Sequence, residues 1–279
     1  MPTLTLKTHT LHYTTAGTPT RPPLLLLHGF LGNHQDFVAT LPLLSQHFYC
    51  ITPDLPGHGK TLTAKNAFTF SATAQAIFSL LQFLNISKVN LLGYSMGGRI
   101  ALYLACYFPQ WFRQVVLESA SPGLKTDAER QQRRKKDEAI AQRLETMPFS
   151  EFLQQWYQNP LFSEVHKHPD LYAAMLHRRQ QNRPTELARA LRGLGTGEQP
   201  SLWNKLKEMP LPLLLIAGEC DRKFVDINQK MVKVRSQHST ALKIFPGCDH
   251  NVHLLAPKAY EKTIVHFQLS QTSDSSKTI

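Results

Sequence analysis

Six short apolar runs, each closing on a loop of glycine, proline or small polar residues, recur along this chain. They are PPLLLLHG (22–29), FYCITPDLPGHG (48–59), KVNLLGYS (88–95), QVVLESASPG (114–123), LPLLLIAGECD (211–221) and ALKIFPGCDH (241–250). Runs this short and this continuously apolar suit strands covered on both faces. Helical stretches such as SATAQAIFSLLQFLN (71–85) lie between them. The alternation predicts an α/β fold with a mostly parallel twisted sheet flanked by helices. In such sheets ligands gather beyond the carboxyl ends of the strands, where these loops lie.

Residues 124–206 interrupt the pattern with helical, basic sequence: AERQQRRKKDEAIAQRLE, SEFLQQWYQ, DLYAAMLHRRQQN and TELARALRGLG. No strand-like run breaks them. They predict a helical lid (cap) insertion over the strand ends, leaving residues 1–123 and 207–269 as the core. The polar stretch 270–279, SQTSDSSKTI, reads as a flexible tail.

Charge narrows the partners. The 279 residues carry 31 Lys+Arg against 20 Asp+Glu, a formal charge of +11. That balance fits nucleic acid, an anionic membrane surface or a polyanionic small substrate. In RQQRRKKDE (130–138), Glu129 and Asp137 lie four residues either side of Arg133, and Glu138 lies four after Arg134. That spacing describes a salt-bridged helix face with one arginine turned inward, not a nucleic-acid patch. No apolar stretch approaches the ~20 residues needed to span a bilayer. The N-terminus, MPTLTLKTHT, lacks a signal-peptide core and a transit pattern. A cytoplasmic protein without nucleic-acid partner or membrane insertion is expected; a plastid or other specialised compartment stays open. Cys50, Cys106, Cys220 and Cys248 form no CxxC, so reduced thiols are expected. With no metal-ligand spacing or dinucleotide fingerprint, no metal and no cofactor are expected. Oligomeric state leaves no mark in the sequence.

GYSMG, residues 93–97, matches G-x-S-x-G between an apolar strand and the helical GGRIALYLACYF. In such an elbow, glycines permit the tight turn that lifts the serine hydroxyl above the sheet. Ser95 then needs a base and an orienting acid. Asp221 follows LLLIAGEC and His250 follows LKIFPGCD, both in loops after apolar runs. Glu118, Asp226, Asp249, His253 and His58 are competing groups of the same types. HGF, residues 28–30, closes another strand. Its Phe30 amide, with that of Met96 after the serine, would form an oxyanion hole. His28 itself reads as a structural hydrogen-bonding residue.

Through HGF, DLPGHG, GYSMGG, AGECD and GCDH the chain resembles the α/β-hydrolase superfamily. Through GYSMGGRIAL, ESASPGL, FLQQWYQNPLF, LGTGEQPSLW and GECDRKF it most resembles the 2-succinyl-6-hydroxy-2,4-cyclohexadiene-1-carboxylate synthases of menaquinone and phylloquinone biosynthesis. The resemblance implies an α/β-hydrolase fold and a lyase that eliminates pyruvate from an enolpyruvyl substrate. The Ser–His–Asp triad would abstract the proton alpha to the succinyl ketone. It also implies carboxylate-binding arginines at Arg99, Arg133 and Arg179, with Arg178 an alternative to Arg179. Tyr94, Trp156 and Lys223 match further site positions. Lid packing for Trp156 and a solvated loop charge for Lys223 are the plainer readings. A hydrolase of carbon–carbon or ester bonds with Ser95 as nucleophile is the rival, and a non-catalytic receptor for an anionic ligand a third; the complete triad counts against the receptor.

Overall fold

A computed structural model describes residues 2–270. The tail expected over 270–279 lies outside the described residues beyond Ser270, the last residue of a helix. Nine strands form one sheet: β1 (Thr3–Thr5), β2 (His9–Ala16), β3 (Pro23–Leu27), β4 (Tyr49–Pro53), β5 (Leu62–Thr63), β6 (Val89–Tyr94), β7 (Phe112–Glu118), β8 (Leu213–Gly218) and β9 (Thr240–Phe245). Their order is β1-β2-β4-β3-β6-β7-β8-β9, with β5 paired to β2. Every pairing from β4 through β9 is parallel, whereas β2 runs antiparallel to β1, β4 and β5.

The six apolar runs are the six parallel strands, and burial on both faces explains why the five inner ones are so apolar, whereas the edge strand β9 alternates exposed and half-buried residues. Leu25, Leu27, Leu91, Val115, Leu117, Leu213 and Leu215 point to one face and enter one core cluster. Leu24, Leu26, Leu92, Val116, Leu214 and Ile216, one residue out of phase, enter a second cluster on the other face. The first face is covered by α2 (Phe70–Phe83), α3 (Met96–Tyr107), α8 (Trp203–Glu208) and α9 (Arg222–Val234). The second is covered by α1 (Leu41–Leu44), α10 (Val252–Leu255) and α11 (Pro257–Ser270).

Between β7 and β8 the chain forms α4 (Asp127–Thr146), α5 (Phe149–Tyr157), α6 (Pro169–Arg179) and α7 (Pro184–Leu194). A capping box starts α4: Thr126 and Glu129 satisfy each other's backbone N–H groups. Helix α7 presents Leu187, Ala188, Leu191 and Leu194 as its buried stripe. These helices share a third apolar cluster, including Ala141, Leu144, Phe152 and Met175, which also takes in Leu31 from the loop after β3 and Leu254 of α10. The insertion is thus seated on the loops at the strand ends. The chain re-enters the main core at Leu194, Leu202 and Leu206. No described helix is long and apolar enough to cross a membrane.

Candidate active site

Ser95 stands between β6 and α3 at φ 51°, a left-handed conformation that a non-glycine residue adopts at a cost. Its amide donates to the Glu118 carbonyl on β7 at 2.9 Å. The glycine two residues on has a packing reason. A Cβ on Gly97 would overlap the carbonyl oxygens of Leu27 and His28, because α3 starts hard against the end of β3.

The Ser95 hydroxyl lies 2.9 Å from His250 Nε2, and His250 Nδ1 lies 2.6 Å from Asp221 Oδ2. Asp221 can only accept there, so the ring proton sits on Nδ1 and Nε2 is left to accept from the serine. Asp221 and His250 are buried, while Ser95 is half-buried and lines a cavity of about 590 Å³. The structure therefore brings all three residues together. The competitors are engaged elsewhere. Glu118 binds His253 Nδ1 at 2.9 Å, and Asp249 accepts the amides of Glu164 and Val165. His58 donates to the Pro56 carbonyl, and Asp226 is exposed. His28 donates Nδ1–H to the Gly29 carbonyl and accepts the Leu55 amide on Nε2, which leaves it no capacity as a base.

Phe30 and Met96 both line the cavity. Among the described residues neither amide has a protein acceptor, so both remain free to donate to a ligand. Trp156 also lines the cavity, its ring 5.5 Å from that of Phe30 and stacked on Phe152 at 5.8 Å, so it walls the cavity and packs the lid together. Tyr94 is buried, donates its hydroxyl to Asn251 Oδ1, and packs its ring 5.4 Å from that of His250. It braces the loop that carries the histidine.

Cations dominate the charged lining. Arg99, Arg133, Arg179 and Lys223 all line the cavity, and Lys125 and Lys230 join them. Burial, then the nearby Arg133, pushes the Arg99 guanidinium down to about 10. Partial desolvation at the cavity mouth, then Arg133, likewise lowers Lys223, although its side chain stays exposed. Each cation is held at a cost that a bound anion would relieve. Their commitments differ. Arg99 donates Nη1 to the Leu194 carbonyl at 2.8 Å and, among the described residues, forms no ion pair. Arg133 pairs with Asp137 at 2.7 Å. Arg179 pairs with the buried Asp36. Adjacent residues on a helix point about 100° apart; it is Arg179, not Arg178, that lines the cavity. Among the described residues the one rim carboxylate, Glu129, is occupied by the amide and hydroxyl of Thr126.

A model of the alpha/beta hydrolase fold family matches residues 22–257. The 2-succinyl-6-hydroxy-2,4-cyclohexadiene-1-carboxylate synthase of Serratia proteamaculans (strain 568) is 32% identical over 253 residues, 90% of this chain and 94% of that protein. A Bacillus subtilis (strain 168) protein provisionally given the same name is 36% identical over 250 residues, 88% of this chain and 90% of its own. The chain belongs to this synthase family. The solved structure of MenH from S. aureus, 30% identical, superposes with a TM-score of 0.88 over 96% of this chain and 100% of that one.

Some residues of this synthase-family site were not visible in the sequence. Asp36 and Asn251 act on site residues through contacts between distant segments, and Glu118 and His253, read from the sequence only as rivals for the triad, pair with each other instead. A buried grouping of His12, His34 and Asp54 was also unforeseen. Asp54 there accepts both Nδ1 atoms and the amides of His34 and Lys60, a set of hydrogen bonds that fixes the loop after β4.

Proposed function

We propose that the chain eliminates pyruvate from 2-succinyl-5-enolpyruvyl-6-hydroxy-3-cyclohexene-1-carboxylate, giving 2-succinyl-6-hydroxy-2,4-cyclohexadiene-1-carboxylate on the route to menaquinone or phylloquinone. One observation carries the reading beyond family membership. The Ser95–His250–Asp221 chain opens into a cavity whose charged lining is Arg99, Lys125, Arg133, Arg179, Lys223 and Lys230 against the carboxylate of Glu129. The substrate is a tricarboxylate, and planar guanidinium groups bind carboxylates in two-point fashion.

His250, oriented by Asp221, draws the proton from the Ser95 hydroxyl as that oxygen takes the proton alpha to the succinyl ketone. The electron pair moves onto the ketone oxygen, and the amides of Phe30 and Met96 are placed to stabilise the enolate. As the enolate collapses, the carbon–oxygen bond to the enolpyruvyl group breaks and that group leaves, taking up a proton as pyruvate. No covalent bond to Ser95 forms. Arg99, Arg133, Arg179 and Lys223 bind the carboxylates, while Tyr94 and Trp156 shape the wall. The core of residues 1–123 and 207–269 carries the base, and the lid of residues 124–206 brings Arg133, Trp156 and Arg179 over it.

The rival, ester or carbon–carbon hydrolysis through an acyl-Ser95, uses the same hydrogen-bond chain but gives no reason for so many cations. The two separate in a single assay. With the enolpyruvyl substrate, purified protein is expected to release one pyruvate per substrate consumed. Absence of pyruvate alongside rapid ester cleavage would overturn the proposal.

A further inference from the structure

The end of α6 grips the loop of residues 28–36 at two points, Asp36 and Leu31, and Asp36 carries the grip on to Gly29 on the other side of Phe30. Arg179 ion-pairs with Asp36 Oδ1, the two side chains being 4% and 2% exposed. Its Nε donates to the Tyr157 hydroxyl at 3.0 Å. The other Asp36 oxygen accepts the amide of Gly29, immediately before Phe30, at 3.3 Å. Three residues beyond Arg179, Asn182 donates Nδ2 to the carbonyl of Leu31, immediately after Phe30, at 2.8 Å. Leu31 sits at φ 66°, so this bond holds a conformation that leucine does not favour.

We infer that Asp36 is a positioning residue that couples the lid arginine to the oxyanion loop: Arg179 fixes Asp36, Asp36 fixes Gly29, and Phe30 is held between Gly29 and the Asn182-bound Leu31. The inference rests on the proposed role of the Phe30 amide. Arg179 then has two tasks, as a cation of the cavity and as the clamp that reports the seating of the lid to the loop.

The electrostatics explain why the clamp needs both partners. Burial pushes the Asp36 carboxyl up, but the Arg179 guanidinium beside it, with His253 and His28, brings it below the ordinary carboxylate value. Without the guanidinium, the carboxyl is buried with no adjacent arginine and takes up a proton or turns away. Either change weakens the acceptor for Gly29. A donor misplaced by about 1 Å costs on the order of 100-fold in rate.

The test is the rate at which an uncharged alkyl fluorophosphonate labels Ser95. The serine oxygen bonds to phosphorus, fluoride leaves, the proton passes to His250, and the phosphoryl oxygen occupies the oxyanion hole. The probe has no carboxylate for Arg179 to bind, and pyruvate release enters nowhere, so failure of the lyase reading would leave the result standing. Rates are taken per folded molecule, from circular dichroism and thermal melts. Arg179→Met and Asp36→Asn are each expected to slow labelling about tenfold or more, and the double variant no further than the slower single. Arg192→Ala, which breaks lid ion pairs to Glu138 and Glu145 away from the loop, should label at the wild-type rate. Tyr157→Phe keeps the charge of Arg179 but frees its Nε, and should slow labelling by roughly threefold. Wild-type labelling in Arg179→Met, or an additive double variant, would overturn the coupling. If Arg179→Met does not fold, Tyr157→Phe decides: slowed labelling supports the clamp, and the wild-type rate refutes it.

Discussion

Ser95→Ala is expected to lower pyruvate release by on the order of 10⁴-fold while leaving the melting temperature within a few degrees of wild type. The hydroxyl is half-buried and makes one side-chain hydrogen bond, to His250. Its loss therefore removes about 1 kcal/mol of stability. Catalysis loses more, because the imidazole no longer has the oxygen through which it reaches the substrate proton. His250→Ala should be as inactive but less stable, since it strands Asp221, a carboxylate 1% exposed whose 2.6 Å partner is that ring. Steady-state pyruvate release with paired thermal melts checks both. A Ser95→Ala variant within tenfold of wild-type turnover would remove the serine from the chemistry.

The second large effect belongs to Arg99. Arg99→Ala should cost about 100- to 1000-fold in kcat/KM for the enolpyruvyl substrate, about 3–4 kcal/mol of lost transition-state binding. The value is large because Arg99 lies one helical turn from Ser95 and, among the described residues, forms no ion pair of its own. Arg133 and Arg179 already have Asp137 and Asp36. Arg99→Lys should recover only part of the loss, since an ammonium cannot reproduce a planar two-point contact. Removing Arg99 also removes the bond to the Leu194 carbonyl, so a lower melting temperature is expected alongside. Unchanged kcat/KM in Arg99→Ala would contradict a carboxylate-binding role.

The parallel sheet was legible because its inner strands are buried on both faces, which removes most polar residues from them and makes each a visible apolar run. The antiparallel edge was not. Strand β2, HTLHYTTA, carries threonine and histidine even at buried positions, so its signal merges with that of a polar loop. Ser95, Asp221 and His250 could be placed because each follows a strand at the same end of the sheet, and the loops there must converge. Asp36 could not. Its meaning comes from Arg179, 143 residues away in sequence, and no local pattern marks a carboxylate for that partner. The ambiguity between Arg178 and Arg179 had a similar cause: a charge pair reads alike in sequence until the helix is docked, and then only one of the two faces the cavity. Nor does counting basic residues show which are neutralised, and that distinction is what singles out Arg99.

The most direct measurement is single-turnover pyruvate release, with enzyme in excess, from substrate carrying deuterium at the carbon alpha to the succinyl ketone. If the Ser95–His250 pair acts as a base on that carbon, deuterium slows the step severalfold and the Ser95 peptide keeps its unmodified mass throughout. Equal rates for the two isotopologues, with a covalent adduct accumulating on Ser95, would contradict it.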